Sequence, residues 1–377
     1  MLITLRMGMR TAAMLSVMLL VLLGMTSSAL AAPPAANLDQ VRNGPPDAPV
    51  DPGDWVNGNV GGQQGHYVEG YSVPYRAVLT NLPIGEPIWL TLGYDIKHSD
   101  RDAVDYLTFY DRIDYPLHDD VFGHGPEVID PTIDVTGVSG PATGTFTIPE
   151  PSSAGSPAPG QPGISYNNLT AGELLMSIWN GAISDIQYGY YVDDVFVPNG
   201  QGDLNASQAE TQITVYFTAS SETVVLSWGG HIGSRVDWGF DADGVPYSAG
   251  GISGSPYHMR LKDWNLNNLG NQDRSLSAVA VYIPPPECEI TPVSDAICVG
   301  ASASFTVIAS SGTEPYTYSW TGPSGFVSTD ATINIVNAQS VDAGTYTCVV
   351  TDADDKTTEC SAELTVWDQP ICDITGG

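Results

Sequence analysis

The chain has 377 residues, of which 43 are acidic and only 12 are lysine or arginine, and its formal net charge is −31 at pH 7. A charge of this sign and size repels nucleic acids and anionic lipid surfaces, so the composition excludes both as partners. The length predicts two or three domains. Two interpretations of the acidic residues stay open here: a solvating surface, or loose binding of calcium.

Residues 1–31 have the organisation of a secretory signal peptide. Arg6 and Arg10 supply the positive start, an apolar run follows from Thr11 to Met25, and Ala29-Leu30-Ala31 fits the small-residue cleavage rule. The run is shorter than the ~20 residues that span a bilayer, so we expect cleavage after Ala31 and no membrane insertion. The product is predicted to be secreted or held at the cell surface; an uncleaved N-terminal anchor is the alternative.

The next segment, residues 32–54, is rich in Pro, Ala, Asp and Gly and is predicted to be a disordered lead-in. From residue 55 to residue 284 the pattern indicates β-structure. Residues 88–96, for example, alternate in the manner of a strand with one buried face. We therefore predict a large β-sandwich-like domain over residues 55–284, with a mobile loop at residues 150–163. Division into two domains at that loop is the alternative.

Later strands are predicted from the same alternation. Apolar residues at 213–217 and at 224–228 flank Ser220-Ser221, which indicates a hairpin. Residues 275–283 are predicted to form a closing strand. Residues 171–179 suit either a short helix or a strand, and the pattern does not choose between them.

All five cysteines lie in the last quarter of the chain, from Cys288 onwards, and in an exported protein they predict disulfides. The segment Asp342-Ala343-Gly344-Thr345-Tyr346-Thr347-Cys348 resembles the D-x-G-x-Y-x-C signature of immunoglobulin strand F. Trp320 stands where the strand C tryptophan of that family lies. Residues 287–367 are therefore predicted to form an immunoglobulin-like β-sandwich around Trp320, Tyr346 and Cys348. The whole chain is then all-β.

This module departs from antibody-type domains because Val307 takes the place of the strand B cysteine, so the usual bridge to Cys348 is absent. In this it resembles the immunoglobulin-like and polycystic-kidney-disease-type repeats of bacterial surface proteins, which open with P-x-C-x-I-T. Four cysteines allow three pairings. The resemblance places the starts of strands A and G at one end, which favours Cys288–Cys360 and leaves Cys298–Cys348.

The phrase around Cys288 nearly returns at residues 368–377, where Cys372-Asp373-Ile374-Thr375 follows a proline and an isoleucine. We interpret this as the start of a next repeat and predict further immunoglobulin-like repeats beyond residue 377. Phrases such as Trp228 to Trp238 resemble a group of uncharacterised exported bacterial proteins in which a large domain precedes such repeats. That resemblance implies location and architecture but no chemistry.

The densest run of chemically capable residues lies near the end of the large domain. The candidate ligand face comprises Trp228, His231, Arg235, Asp237, Trp238 and His258. Aromatic rings there, and at Trp55, Trp89, Trp264, Tyr188, Tyr190 and Tyr191, suit stacking against sugars, with burial in the core as the alternative. A serine such as Ser234 or Ser255 would complete a catalytic triad, but no G-x-S-x-G elbow is present, and we assign no catalytic residue.

The loop from residue 114 to residue 130 is dense in metal-binding side chains. It holds His118, Asp119, Asp120, His124, Glu127 and Asp130. They match no recognised ligand spacing, so we predict a solvated acidic loop and assign no metal ligand or cofactor. Asp241-Ala242-Asp243-Gly244 begins like a calcium loop but departs from the EF-hand pattern at Val245 and Ile252. Loose calcium binding at such turns is the alternative.

These features together predict a non-enzymatic secreted or cell-surface protein. It would serve adhesion, or structural presentation of the N-terminal β-domain on an immunoglobulin-like stalk, with a glycan or a protein as ligand. The alternative is an extracellular carbohydrate-binding accessory module or hydrolase. A hydrolase would show convergent polar groups in a concave site, whereas an adhesin would show an aromatic face.

Overall fold

The computed structural model describes residues 32–151, 162–250 and 252–368, and these residues are almost entirely β-structure. The predicted signal peptide, most of the predicted loop at residues 150–163 and all but residue 368 of the predicted next repeat lie outside the described residues. The described chain forms a large N-terminal sandwich and a smaller C-terminal module. The prediction of an all-β fold with an immunoglobulin-like sandwich is confirmed.

The strands of the N-terminal sandwich are β1 (Ala35–Arg42), β2 (Asp54–Val56), β3 (Tyr67–Val68), β4 (Ser72–Thr80), β5 (Pro87–His98), β6 (Arg101–Asp102), β7 (Val104–Thr108), β8 (Gly144–Thr147), β9 (Leu175–Trp179), β10 (Gly181–Val192), β11 (Val195–Pro198), β12 (Ala209–Ala219), β13 (Val224–Ile232), β14 (Tyr257–Trp264), β15 (Gln272–Leu276) and β16 (Val281–Tyr282). Three short helices join them: α1 (His118–Phe122), α2 (Gly163–Asn167) and α3 (Arg235–Trp238). A 3₁₀ turn spans Ala278–Ala280.

Two seven-stranded sheets face each other in the described part of this sandwich. The first has the order β2-β1-β4-β13-β9-β8, with β7 also on β13, and the second has the order β11-β10-β12-β5-β14-β15, with β6 on β5. Buried apolar residues from both sheets, such as Leu38 and Leu226 from one and Leu92 and Val215 from the other, form a single cluster. This cluster includes residues on both sides of the segment 150–163.

The prediction of a disordered lead-in over residues 32–54 is wrong. Residues 35–42 form β1, which lies between β2 and β4, and Leu38 and Val41 are fully buried. Asp39 of this strand accepts a hydrogen bond of 3.0 Å from Arg76 of β4. The neighbouring strands supply the pairing partners and the core that the local composition lacks, and composition alone does not reveal such a partner.

Two strand predictions are also revised, and one that the sequence left open is resolved. β12 and β13 flank Ser220-Ser221 but lie in different sheets, so the chain crosses the sandwich there and the predicted hairpin is wrong. A short turn can join two strands of one sheet or two strands of facing sheets. The alternation of apolar and polar residues within each strand is the same in both cases. The predicted closing strand over residues 275–283 is divided by the 3₁₀ turn. Residues 175–179 form a strand, not a helix.

The C-terminal module contains β17 (Pro286–Thr291), β18 (Ser294–Cys298), β19 (Ala303–Ser311), β20 (Thr317–Thr321), β21 (Val327–Ser328), β22 (Thr332–Ile335), β23 (Gly344–Thr351) and β24 (Thr357–Trp367), with 3₁₀ turns at Pro323–Gly325 and Ser340–Asp342. A three-stranded sheet (β17-β19-β22) packs on a five-stranded sheet (β18-β24-β23-β20-β21). Trp320, Tyr346 and Cys348 are all buried between them. The Tyr346 hydroxyl donates to the Asp342 carbonyl at 3.0 Å, the tyrosine-corner contact of immunoglobulin domains.

One of the two expected disulfides is present. Cys288 of β17 is bonded to Cys360 of β24, so the bridge joins the two sheets. The pairing of Cys298 with Cys348 is wrong, because Cys348 is a buried free thiol and Cys298 is engaged in another disulfide. Cys348 lies on the core side of β23 beside Trp320, whereas Cys298 lies at the end of edge strand β18 beside Trp367. Burial raises the pKa of the Cys348 thiol.

Candidate functional site

The predicted ligand face is not a surface. Trp228, His231, Arg235 and Trp238 are each at most 3% exposed. They lie on β13 and α3, between the two sheets or beneath the loops that cover them. Asp237 and His258 are partly buried. The prediction of an exposed face is therefore wrong, because aromatic and charged residues at this density find their partners inside the domain.

Buried Asp105 of β7 organises these side chains. Its carboxylate oxygens lie 2.6 Å from His231 Nδ1 and 3.1 Å from the Trp238 indole nitrogen, which donates to it. His231 Nε2 lies 2.8 Å from the Gly70 carbonyl oxygen. Both ring nitrogens of His231 thus lie against hydrogen-bond acceptors, so structural partners hold the ring on both sides.

The parts of the suggested triad are engaged elsewhere. The Ser234 hydroxyl donates to Asp237 Oδ2 at 2.7 Å and accepts from the Asp237 backbone N–H, so Ser234 caps α3. His258 Nδ1 lies 2.9 Å from Asp273 on the neighbouring strand β15. Burial raises the pKa of Asp237. Ser234, Asp237 and His258 thus have structural partners, and no serine–histidine hydrogen bond forms among the described residues.

The N-terminal sandwich contacts the immunoglobulin-like module directly. Arg235 donates to Glu69 Oε2 at 2.8 Å within the sandwich and to Thr313 Oγ1 of the module at 2.6 Å. Lys356 of the module donates to the Ile283 carbonyl at 2.6 Å and lies 4.4 Å above the Tyr282 ring. We call these contacts the domain joint. No local sequence pattern predicts these contacts, because they link residues far apart in the chain.

Three of the six histidines of the chain meet one glutamate in a buried cluster. His66, His118, His124 and Glu127 each offer one ligand atom, and these atoms lie within 4.8 Å of one another. His66 directly precedes β3, His118 opens α1, and the other two follow that helix. The sequence singled out all but His66, which stands in a different segment. His118 and Glu127 are buried, unlike the side chains of a solvated loop.

Backbone carbonyls fix the orientation of all three rings. His66 Nδ1 lies 2.7 Å from the Gly44 carbonyl oxygen, His118 Nδ1 lies 2.9 Å from that of His124, and His124 Nδ1 lies 2.8 Å from that of Gly125. A carbonyl only accepts, so each Nδ1 carries the proton. The lone pair of each ring is therefore on Nε2.

Asn43, which directly follows β1, positions Glu127, the fourth side chain of the cluster. Its amide donates to Glu127 Oε2 at 3.1 Å and to the His66 carbonyl at 2.8 Å. Burial alone would raise the pKa of Glu127, but the contacts with His66 and Asn43 outweigh it and lower that pKa. Glu127 Oε1 lies 3.2 Å from His66 Nε2. Yet both atoms, and His124 Nε2, are buried without a hydrogen-bond partner.

The other candidate ion sites have internal partners. Asp95, His98 and His258 form a second group, but Asp95 is already bound by Arg260. Asp241 Oδ1 accepts from the backbone N–H groups of residues 243 and 245, as in an ordinary Asx turn.

One aromatic surface remains on the second sheet. Trp89 and Tyr191 stack with ring centroids 4.0 Å apart and an interplanar angle of 10°, and Phe196 and Tyr216 flank them. All four rings are partly exposed. We call Trp89, Tyr191, Phe196 and Tyr216 the aromatic face. Tyr190, also proposed from the sequence, lies outside this ring cluster.

Comparison with known proteins identifies the C-terminal module. Residues 285–352 match the immunoglobulin domain family. Solved structures with similarity include the N-terminal four immunoglobulin domains of Dscam1 isoform 9.44 (22% identity over 33% of this chain and 29% of that chain, TM-score 0.21) and the Ig1 domain of mouse SynCAM 2 (17% identity, 22% and 97%, TM-score 0.18). This chain thus spans less than a third of the Dscam1 fragment.

Likenesses at this level carry no information about function. No curated protein matches the chain. Within the described ranges, none of the helices has the length and apolarity needed to cross a bilayer. The immunoglobulin domain at residues 285–352 is the assignment that the comparisons give.

Proposed function

We propose that this chain is an exported, non-enzymatic protein that presents its N-terminal sandwich on an immunoglobulin-like module, for adhesion or as a structural element at the cell surface. The observation that carries the proposal is the domain joint. The buried Arg235 side chain reaches from its ion pair with Glu69 to Thr313, so a core residue of one domain holds the other. Such a contact gives the presented domain a defined attachment to the module.

The disulfide and the charge agree with this role. The Cys288–Cys360 bridge suits an oxidising extracellular location. The net charge of −31 favours solubility and disfavours nucleic acid as a partner. The engagement of His231, Ser234 and Asp237 with structural partners also favours a binding role over a hydrolytic one.

The test uses the exported chain on arrays of glycans and extracellular proteins, alongside panels of glycoside, ester and peptide substrates. We expect no turnover, and solution scattering should fit one fixed arrangement of the two domains. Binding on an array would assign adhesion, and its absence would assign the structural role. Turnover that copurifies with the chain, or scattering from independently moving domains, would contradict the proposal.

Glycan recognition is a second candidate, favoured by the aromatic face. Stacked, partly exposed rings on a sheet present the flat apolar surface on which sugar rings pack. Trp89→Ala and Tyr191→Ala should each abolish glycan binding. The matched control is Trp367→Ala, which removes an aromatic ring that is 44% exposed on the other domain. Equal loss of binding in the control would exclude the aromatic face as the site.

A further inference from the structure

We propose that His66, His118, His124 and Glu127 bind one Zn²⁺ ion, with three imidazole Nε2 atoms and one carboxylate oxygen as ligands. The site is structural, because four protein ligands complete the tetrahedron that Zn²⁺ prefers and leave no open position for a substrate. It goes beyond the proposed function, which does not require a metal.

Polar atoms of this cluster that lack a hydrogen-bond partner support the zinc site. His66 Nε2, His124 Nε2 and Glu127 Oε1 are buried in one place without hydrogen-bond partners. Buried polar groups in proteins almost always have a partner, so three such atoms in one cluster need a common one. All three atoms are Lewis bases, and a cation between them satisfies them together.

The distance between two of the proposed ligand atoms also supports the zinc site. Ligands at about 2.0–2.1 Å from a tetrahedral Zn²⁺ lie about 3.3 Å from each other. His66 Nε2 and Glu127 Oε1 are 3.2 Å apart and yet do not form a hydrogen bond. Two ligand atoms that point at a shared ion have this separation and this lack of mutual alignment.

The hydrogen bonds that orient the ligand side chains support the zinc site as well. Each imidazole donates its Nδ1 proton to a backbone carbonyl, and Asn43 holds the second oxygen of Glu127. Such outer contacts fix ring orientation and tautomer in zinc sites. The nitrogen-rich ligand set also selects against calcium, which takes oxygen ligands.

A zinc ion here would explain how a weak local element stays in place. Helix α1 has five residues and no side-chain N-cap, so it has little stability of its own. Its first residue, His118, and the loop residues His124 and Glu127 would be tied to His66 and through it to β3. Phe122 of α1 then packs against Tyr282, with ring centroids 5.2 Å apart, at the domain joint.

The first experiment measures metal content by mass spectrometry in the full chain as purified. We expect about one zinc per chain in the wild type, a loss of more than tenfold in His66→Gln and Glu127→Gln, and no loss in His258→Gln. That control changes a histidine of the second group, which is also partly buried. Equal zinc content in the wild type and the two ligand variants would overturn the proposal.

The second experiment needs no variant and therefore holds even if the variants fail to fold. The wild-type chain is stripped with a chelator and titrated with Co²⁺. We expect the intense visible absorption of four-coordinate Co²⁺, saturating at one equivalent and displaced by Zn²⁺, and a melting temperature that Zn²⁺ restores. Absence of binding would overturn the site, and the weak absorption of six-coordinate Co²⁺ would overturn its closed structural character.

Discussion

The two domains of this chain hold themselves together in different ways. The N-terminal sandwich contains no cysteine and buries ionisable side chains in pairs. These pairs are Arg76 with Asp39, Lys97 with Asp102, His231 with Asp105, and Arg235 with Glu69. The immunoglobulin-like module instead links its two sheets with a disulfide around a small apolar core.

Size explains the difference. A larger domain buries a larger fraction of its surface, so its core offsets the cost of taking paired charges out of water. A module of about 80 residues has less surface to bury and gains from a covalent bridge that restricts its unfolded chain. The two domains should therefore respond to different perturbations, and calorimetry of the full chain can resolve their separate transitions.

Breaking a buried ion pair should have the largest effect. Glu69→Ala leaves the Arg235 guanidinium buried without its carboxylate and removes the acceptor of Ser248. We expect the free energy of unfolding of the N-terminal sandwich to fall by about 3–5 kcal/mol. The control is Glu173→Ala, whose partner is Arg112 and whose side chain is 35% exposed; it should cost less than about 1 kcal/mol. Similar losses of stability in the two variants would contradict the larger contribution assigned to the buried ion pair of Glu69.

Removing the disulfide should have the next largest effect, and in the other domain. Replacing Cys288 and Cys360 together by alanine opens a loop of 72 residues and should lower the stability of the immunoglobulin-like module by about 4 kcal/mol. The transition of the N-terminal sandwich should stay in place. If both transitions shift equally, the two domains unfold as one unit.

Acidity should act on the N-terminal sandwich. Burial, partly offset by Lys97, raises the pKa of Asp102 from 3.8 to about 7. Between these values the native state keeps a proton that the unfolded chain has lost, so the contribution of Asp102 to stability is fully present below about pH 4 and is lost as pH rises through 7. The effect is a few kcal/mol at most. Asp102→Asn should flatten this dependence in melting curves; an unchanged slope would assign it to other groups.

The smallest effect should come from the tyrosine corner. Tyr346→Phe removes one hydrogen bond, from the hydroxyl to the Asp342 carbonyl, and leaves the ring in the core. We expect a loss of about 1 kcal/mol in the immunoglobulin-like module, measured by denaturant unfolding. Tyr318→Phe is the matched control in the same domain. A larger loss in the control would mean that the corner contact contributes little.

The sequence predicted the module better than the large domain. The D-x-G-x-Y-x-C motif is local, so Tyr346 and Cys348 could be placed without knowing the rest of the fold. β1 was missed because its partners lie in β2 and β4. His66 was missed for the same reason, since it meets the loop ligands only in space. The prediction of an exposed ligand face was wrong because the residue types at Trp228 and Arg235 do not reveal whether these side chains are buried.

The position of the disulfide also determines how the chain responds to tension. Cys288 and Cys360 lie in the first and last strands of the immunoglobulin-like module, and 72 residues separate them. A pull on the flanking chain therefore loads residues 361–367 of β24, which pair with β18 and β23, and then passes through the sulfur–sulfur bond. The residues between the two cysteines would span about 240 Å if fully extended, but the intact disulfide prevents them from extending under tension. The cysteine-free sandwich has no such covalent restraint and therefore depends on its sheets alone to resist tension.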